Sequence, residues 1–572
     1  MWVVIIKEAE YLSKTGTCAQ TLEQREYTDD ERVVLLHFFT NIDKNIYAAT
    51  DAMPNCLWAL LEGGYSRSQL SMRMRFLQIF EEMEQECEKG ILSKEDLVTI
   101  KDMAEQIRQK SGINLSFFLE KAEKFMRKWA VQYGHDSLKD SDILRFAIEN
   151  VSQAIIPFIE EARLGAYQEK STRYVEFSRE HLIVPPDLKK FEKEIKKWND
   201  FLMTQYEESM PIVNAFIQKR LDPKSFKSEA ALKRTVDAKT FDVVRYFLPA
   251  TMLTSLGVVW PTREAERHIS RLMSFPQEEV QSVGRLLLEE GMKVSPGLLR
   301  HVAINEYHVL QQDAITKIQK KLKLKKTECS AGRNNDAVKL VSISSHMDAR
   351  IAASILFRND SGTNEYKEYV KCCIDDPTLV TKTFDAFIQN RGKFDSFPMA
   401  SETGNMLFEI CVDFGAYRDI KRHRRNLFLH APFTALQGYE FPEYVNEEPE
   451  LIDVKNKMAL CNEKTIALHT KIVKKKKHCS MYIIMFAHKQ RMLWQMDPRQ
   501  FAYVVELRTT PAGHHSYRTI CQQMFRVAEP HMPEFCKHIR VDMSSGEEGR
   551  KKQEEKTVEK IKALGGNVER VS

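Results

Sequence analysis

The sequence predicts a helix-rich chain in which two copies of one module follow each other. Three observations carry this. At 572 residues the chain has room for several domains, at roughly 100–200 residues per domain. Residues 315–336, TKIQKKLKLKKTECSAGRNNDA, turn from Lys-rich to small and polar, as a linker between two halves does. A set of basic and hydrogen-bonding motifs from the first half recurs in order in the second.

Composition narrows the class. A formal net charge of +5 suits an anionic small molecule and is too weak to indicate nucleic acid. The 11 cysteines are odd in number and scattered, with no C-x-x-C pair. They read as reduced thiols of a cytoplasmic protein rather than a disulfide scaffold or a zinc site. The opening apolar run, Trp2 to Ile6, is too short for a signal sequence. No stretch approaches the roughly 18 apolar residues of a membrane span, so a membrane partner is not expected.

Along the chain, residues 1–34 carry no signal. From Phe39, Gly63-Gly64 separates two helical patterns, with Ser66 just beyond. Residues 76–130 are rich in Glu and Lys and read as a solvated helical hairpin. The informative stretch is Tyr133 to Tyr174. It opens on the turn Gly134-His135-Asp136-Ser137. An amphipathic helix is predicted next, with Phe146, Ile148, Val151, Ile155 and Phe158 at mixed three- and four-residue spacings. It closes in a polar cluster of Arg163, Gln168, Glu169, Ser171, Arg173 and Tyr174. A packing helix does not need two arginines, a carboxylate, a hydroxyl and a phenol at its exit. A site that holds a phosphate and a hydrogen-bonding ring does. Pro185-Pro186 marks a loop, charged helices follow to about Phe216, and then come Arg245, Pro249, Arg263 and a helix bearing Gln281.

The second half answers these pieces. Arg422-His423-Arg424 sets Arg424 against Arg163, and Val412-Asp413-Phe414-Gly415 falls on Val151-Ser152-Gln153-Ala154, at an offset of 261. Arg499 answers Arg263 and Arg518 stands where the first half has Gln281, at an offset of about 236. Two collinear matches separated by one change of loop length are what a duplication with an insertion leaves. The tail from Ser544 holds few apolar residues and is expected to be disordered or a loose helix. The predicted division is 1–34, a first domain 35–314, a linker 315–336, a second domain 337–542, and a charged tail 543–572.

These motifs resemble the flavin-dependent thymidylate synthases, whose signature runs Arg-His-Arg, two residues, Ser, one, Asn-Glu, one, Ser, one, Arg. Here Glu161-Ala162-Arg163 is followed by Ala166, Gln168-Glu169, Ser171 and Arg173-Tyr174. The second half keeps the basic triplet but has Leu427, His430, Pro432 and Thr434 at the later signature positions. Val244-Arg245-Tyr246-Phe247-Leu248-Pro249 matches an Ala-Arg-x-x-Leu-Pro element, which reads Ala487-His488 in the second half. The resemblance implies an α+β fold in each half, long helices around a small sheet, and a tandem, divergent family member. It implies an enzyme that methylates dUMP to dTMP with FAD, using methylenetetrahydrofolate and NADPH as co-substrates. A relative that binds flavin or nucleotide without that activity is the alternative. His135, Ser137, Arg163, Glu169, Arg422, His423 and Arg424 would face the flavin. Glu169, Ser171, Arg173, Arg245 and Arg518 would face dUMP, with Ser171 orienting or polarising rather than attacking. The reduced flavin carries the chemistry, and a homodimer of tandem chains would reproduce a four-domain assembly. Without the resemblance, Ser171 and Arg173 also fit a helix cap with a surface arginine, and Arg422 to Arg424 a basic surface turn.

Overall fold

A computed structural model describes residues 26–53, 70–89, 99–109, 143–172, 177–322, 337–546 and 549–563. They fall into two compact units, Met1–Lys190 with Thr251–Lys323, and Phe191–Ala250 with Leu324–Ser572.

The first unit begins with α1 (Asp29–Phe38), capped reciprocally by Thr28 and Glu31. β1 (Ile46–Ala48), α2 (Met72–Glu88) and α3 (Ile100–Arg108) follow, then β2 (Ile143–Ser152) and β3 (Ala166–Glu169). The helical hairpin α4 (Glu192–Arg220) and α5 (Glu229–Val244) comes next in the chain but belongs to the second unit. The first unit resumes with β4 (Leu253–Pro261), α6 (Thr262–Met273), α7 (Glu278–Val294) and α8 (Glu306–Gln319). Its antiparallel sheet has the order β1-β2-β4-β3. α8 runs across residues 315–319, so the helix enters the stretch read as linker.

The stretch predicted as a helix from Phe146 is instead β2, followed by a single turn at Ile156–Ile159. The reason is burial on both faces. Leu144, Phe146 and Ile148 are fully buried, while Ala147, pointing the other way, joins a cluster with Val34, Phe39, Tyr47 and Phe76. A strand covered on both sides loses its apolar–polar alternation. A bulge between Ile148 and Val151, where Asn150 takes φ 55°, then shifts the spacing again. Each fully buried large apolar side chain here contributes about 1.5–3 kcal/mol.

In the second unit, β5 (Val338–Ile343), β6 (Met406–Asp413), α9 (Phe414–Ile420), β7 (Leu427–His430), α10 (Ile452–Val473), β8 (Lys489–Met496), α11 (Pro498–Arg508) and α12 (His515–Ala528) repeat the pattern. The sheet order is β5-β6-β8-β7. Strand register makes the duplication explicit. Ala166 pairs with Val259 as Leu427 pairs with Gln495, and Ser152 pairs with Leu253 as Asp413 pairs with Lys489. The offsets of 261 and 236 therefore hold along β3 and at the end of β2; ahead of the β2 bulge the register differs by one, since Ile148 pairs with Leu256 but Glu409 with Leu493. The change of length between them is a helix rather than a loop: α5 has no counterpart between α10 and β8.

Within the second unit, Trp198 of α4 donates to Thr465 of α10 at 2.9 Å. The tail, expected to be disordered or loosely helical, forms α13 (Gly549–Ala563) and docks on α5. Glu554 accepts from Arg234 at 3.2 Å, Arg550 lies 3.5 Å from Asp242, and Val558 is buried. Among the described cysteines, Cys461, Cys479, Cys521 and Cys536 are buried free thiols. Cys411 is disulfide-bonded, which departs from the fully reduced set predicted. Among the described residues no helix is long and apolar enough to cross a membrane.

Candidate functional site

The second unit holds a buried polar cluster where β6, α9, α12 and the end of α5 converge. Residues 246–250 leave α5 and pair with the segment before β8. Ala487 N donates to Tyr246 O at 3.2 Å, Phe486 N to Leu248 O at 2.9 Å, and Ala250 N to Ile484 O at 2.9 Å. This pairing fixes Arg245, 2% exposed, in the turn just ahead. Its Nη1 lies 3.8 Å from Asp419 Oδ2, whereas Nε and Nη2 meet no acceptor among the described residues. Beside it is Gly415. A Cβ there would come within 3.5 Å of Arg245 Nη2 and 3.1 Å of Asp413 Oδ1, so glycine lets the guanidinium and the carboxylate pack closely against its backbone.

Asp413 ends β6 and caps α9, accepting from Ala416 N at 2.7 Å and from the Ser516 hydroxyl. Burial pushes its carboxyl up to about 6, against the opposing pull of Ser516 and Arg245. Tyr246 stacks on His514 with ring centroids 5.8 Å apart. Burial, and then Asp413, hold its phenol well above the usual range. His514 caps α12 through Ser516 N at 3.2 Å and meets Asp242 O at 3.2 Å. His515, the next residue, is the first of α12.

The basic triplet follows α9. Arg422 is exposed and pairs with Asp419 at 3.9 Å, and Arg424 is half-buried. His423 turns inward, accepts from Arg508 Nε at 2.8 Å, and sits edge-on to Tyr503. Burial, then Arg508, hold it well below its usual pKa, so it stays neutral. Arg518 is buried and spends its donors on its own chain: Thr509 O at 3.1 Å, Ser545 O at 2.5 Å and Ser544 O at 3.0 Å.

In the first unit Glu169 closes β3, buried, with its Oε1 3.4 Å from Thr254 Oγ1. Ser171 is half-buried two residues on, and Arg163 is exposed. His135, Ser137, Arg173, Tyr174 and Ser66 lie outside the described residues. Ser152 ends β2 and gives both its N and its Oγ to Glu279 of α7, at 2.8 and 2.9 Å. Gln281 donates to Phe275 O at 2.7 Å.

The sequence names Arg245 as a candidate and sets Asp413 against Ser152, but gives no role to Asp413, Tyr246 or Ser516. Asp413 and Ser516 lie 103 positions apart, and neither stands at a signature position of the family.

A family model described as Thymidylate synthase complementing protein matches residues 87–297 and again 340–534. The chain belongs to the thymidylate synthase complementing protein family. It carries that family's α+β, helix-rich module twice in tandem. A UPF0159 protein of Chlamydia muridarum is 28% identical over 552 residues, spanning 93% of this chain and 98% of its own length. A flavin-dependent thymidylate synthase of Clostridium tetani is 24% identical over 185 residues, 32% of this chain and 71% of that protein. A crystal structure of the UMP/dUMP methylase PolB from Streptomyces cacaoi with 5-Br dUMP covers 35% of this chain and 93% of that chain, at 13% identity and TM-score 0.28.

Proposed function

We propose that this chain is a flavin-dependent methylase of the thymidylate synthase type, converting dUMP to dTMP with methylenetetrahydrofolate, FAD and NADPH. The observation that carries the reading is Arg245. A buried guanidinium with two donors lacking an acceptor is costly unless an anionic oxygen completes it. A phosphate oxygen or a uracil carbonyl is the kind of acceptor that guanidinium donors recognise well, and it would reach Arg245 only if the turn beside Gly415 gives way, since the guanidinium is buried. The residues present therefore fit a nucleotide monophosphate. Family membership supports the chemistry.

In this reading Asp413 and Ser516 orient the turn around Arg245, with Asp413 anchoring the start of α9. Arg422 and Arg424 would hold the flavin by its phosphates, while His423 fixes the backbone between them by accepting from Arg508. By resemblance, Glu169, Ser171 and Arg173 stand at the family's nucleotide-facing positions in the first copy. FAD, when bound, supplies the hydride and the passage of the methylene group; the side chains bind, orient and exclude water.

The purified protein is expected to show flavin absorbance and to bind dUMP. Arg245→Gln should weaken dUMP at least about tenfold, as loss of a charge-assisted pair implies. A colourless protein that ignores dUMP overturns the proposal. A second reading, a nucleotide-binding relative without methylase activity, is favoured by Arg518, whose donors are taken by Thr509, Ser544 and Ser545. Flavin and dUMP binding without dTMP formation would decide for it.

A further inference from the structure

α8 carries its apolar residues outward. The helix is fastened at its start, where Ser270 Oγ donates to Ala303 O at 2.6 Å and Asn305 N to Ser274 Oγ at 2.8 Å. Asn305 then caps it by accepting from Tyr307 N at 3.0 Å. Beyond that, Tyr307 is 64% exposed, Leu310 65% and Ile318 60%. With the small, exposed Ala314 between them, these residues recur at three- and four-residue steps and form one stripe. Ile315, 52% exposed, lies at its edge, and Leu322, 55% exposed, continues it past the last turn. A monomer seldom leaves so large an apolar strip in water. A helix of 14 residues is also marginal without packing, since lone helices under about 12–15 residues barely hold in water.

The charges along the stripe say what covers it. The first turn bears Glu306, while Lys317 and Lys320 stand at the other end, followed by Lys321. Laid antiparallel on itself about Ala314, the helix sets Leu310 against the copy's Ile318 and Glu306 close to its Lys320 and Lys321. The helix dipoles then oppose and the small residue at the centre permits close approach. We infer that a second copy of this chain docks on α8, antiparallel and two-fold symmetric, through the Tyr307–Leu310–Ala314–Ile318 stripe. Such a contact is self-complementary, as a two-fold interface must be. It stands apart from the nucleotide reading and needs no ligand.

Light scattering after size exclusion tests it on the full chain. The protein is expected as a dimer at micromolar concentration. Leu310→Glu with Ile318→Glu, on an exposed face that the fold does not use, should raise the dimer Kd at least about 100-fold, the scale of losing a central apolar anchor. Glu306→Lys should weaken the dimer, and adding Lys320→Glu and Lys321→Glu should restore it. A wild-type monomer would mean that the stripe is covered within one chain and overturns the inference. So does a dimer that ignores the two glutamates, or one that shows no rescue on charge exchange.

Discussion

Asp413 makes a pH test possible because it is fully buried with a carboxyl at about 6. Its folded pKa lies above the unfolded value of 3.8. The stability it contributes is therefore present below pH 4 and is lost as pH rises through 6. A shift of about 2 units corresponds to at most about 3 kcal/mol. Two buried histidines act in the opposite sense. Burial depresses His469 to about 4 and His488 to about 3, and they withdraw stability as pH falls below their ordinary range. The comparison must therefore be between variants. Asp413→Asn keeps an acceptor for Ala416 N, and its urea midpoint relative to wild type should rise between pH 4 and pH 7. A constant difference across that range refutes the assignment. Arg245 was legible because it falls within a motif. Asp413 gains its character from a helix more than a hundred positions away, which no local pattern records.

At the scale of elements, the tail helix rests on one glycine. Gly546 has φ +76°, and a Cβ there would lie 2.1 Å from Arg518 Nη1. Arg518 in turn binds the carbonyls of Ser544 and Ser545, so glycine and arginine together lead the chain toward α13. Gly546→Val meets both a left-handed backbone and a buried guanidinium, a strain of about 1–3 kcal/mol. Amides in 549–563 should then exchange faster while those of β6 and β8 do not. Unchanged protection of α13 would show that its contacts with Arg234 and Asp242 suffice alone. The tail read as loose in the sequence because its charged residues find partners far away, on α5 and just ahead of it: Glu554 meets Arg234, Arg550 meets Asp242, and Glu559 meets Lys227. β2 was misread for a different physical reason. Phe146 faces Trp260 on one side, while Ala147 faces the Tyr47 cluster on the other. Burial on both sides erases the period that distinguishes strand from helix.

For the molecule as a whole, duplication explains an exchange that neither half shows alone. Ser152 and Asp413 each end the equivalent strand, and Glu279 and Ser516 each take the second position of the equivalent helix. One copy sets a hydroxyl on the strand against a carboxylate on the helix; the other reverses them. The repeat was legible because arginines such as Arg163 and Arg424, or Arg263 and Arg499, keep fixed offsets. The exchange was not, since hydroxyl and carboxylate trade places and leave no residue in common. If the two arrangements are alternatives for one structural need, they should be interchangeable within a copy. Ser152→Asp alone places a second carboxylate beside the buried Glu279 and should cost at least about 2 kcal/mol by unfolding. Glu279→Ser alone strips Ser152 of its acceptor and should cost about 1–3 kcal/mol. The double variant Ser152→Asp with Glu279→Ser rebuilds the pair as the second copy has it. Its stability should return to within about 1 kcal/mol of wild type, a coupling that only directly interacting residues show. Additive losses in the double variant would mean that the two copies meet the need in ways their surroundings no longer allow to be traded.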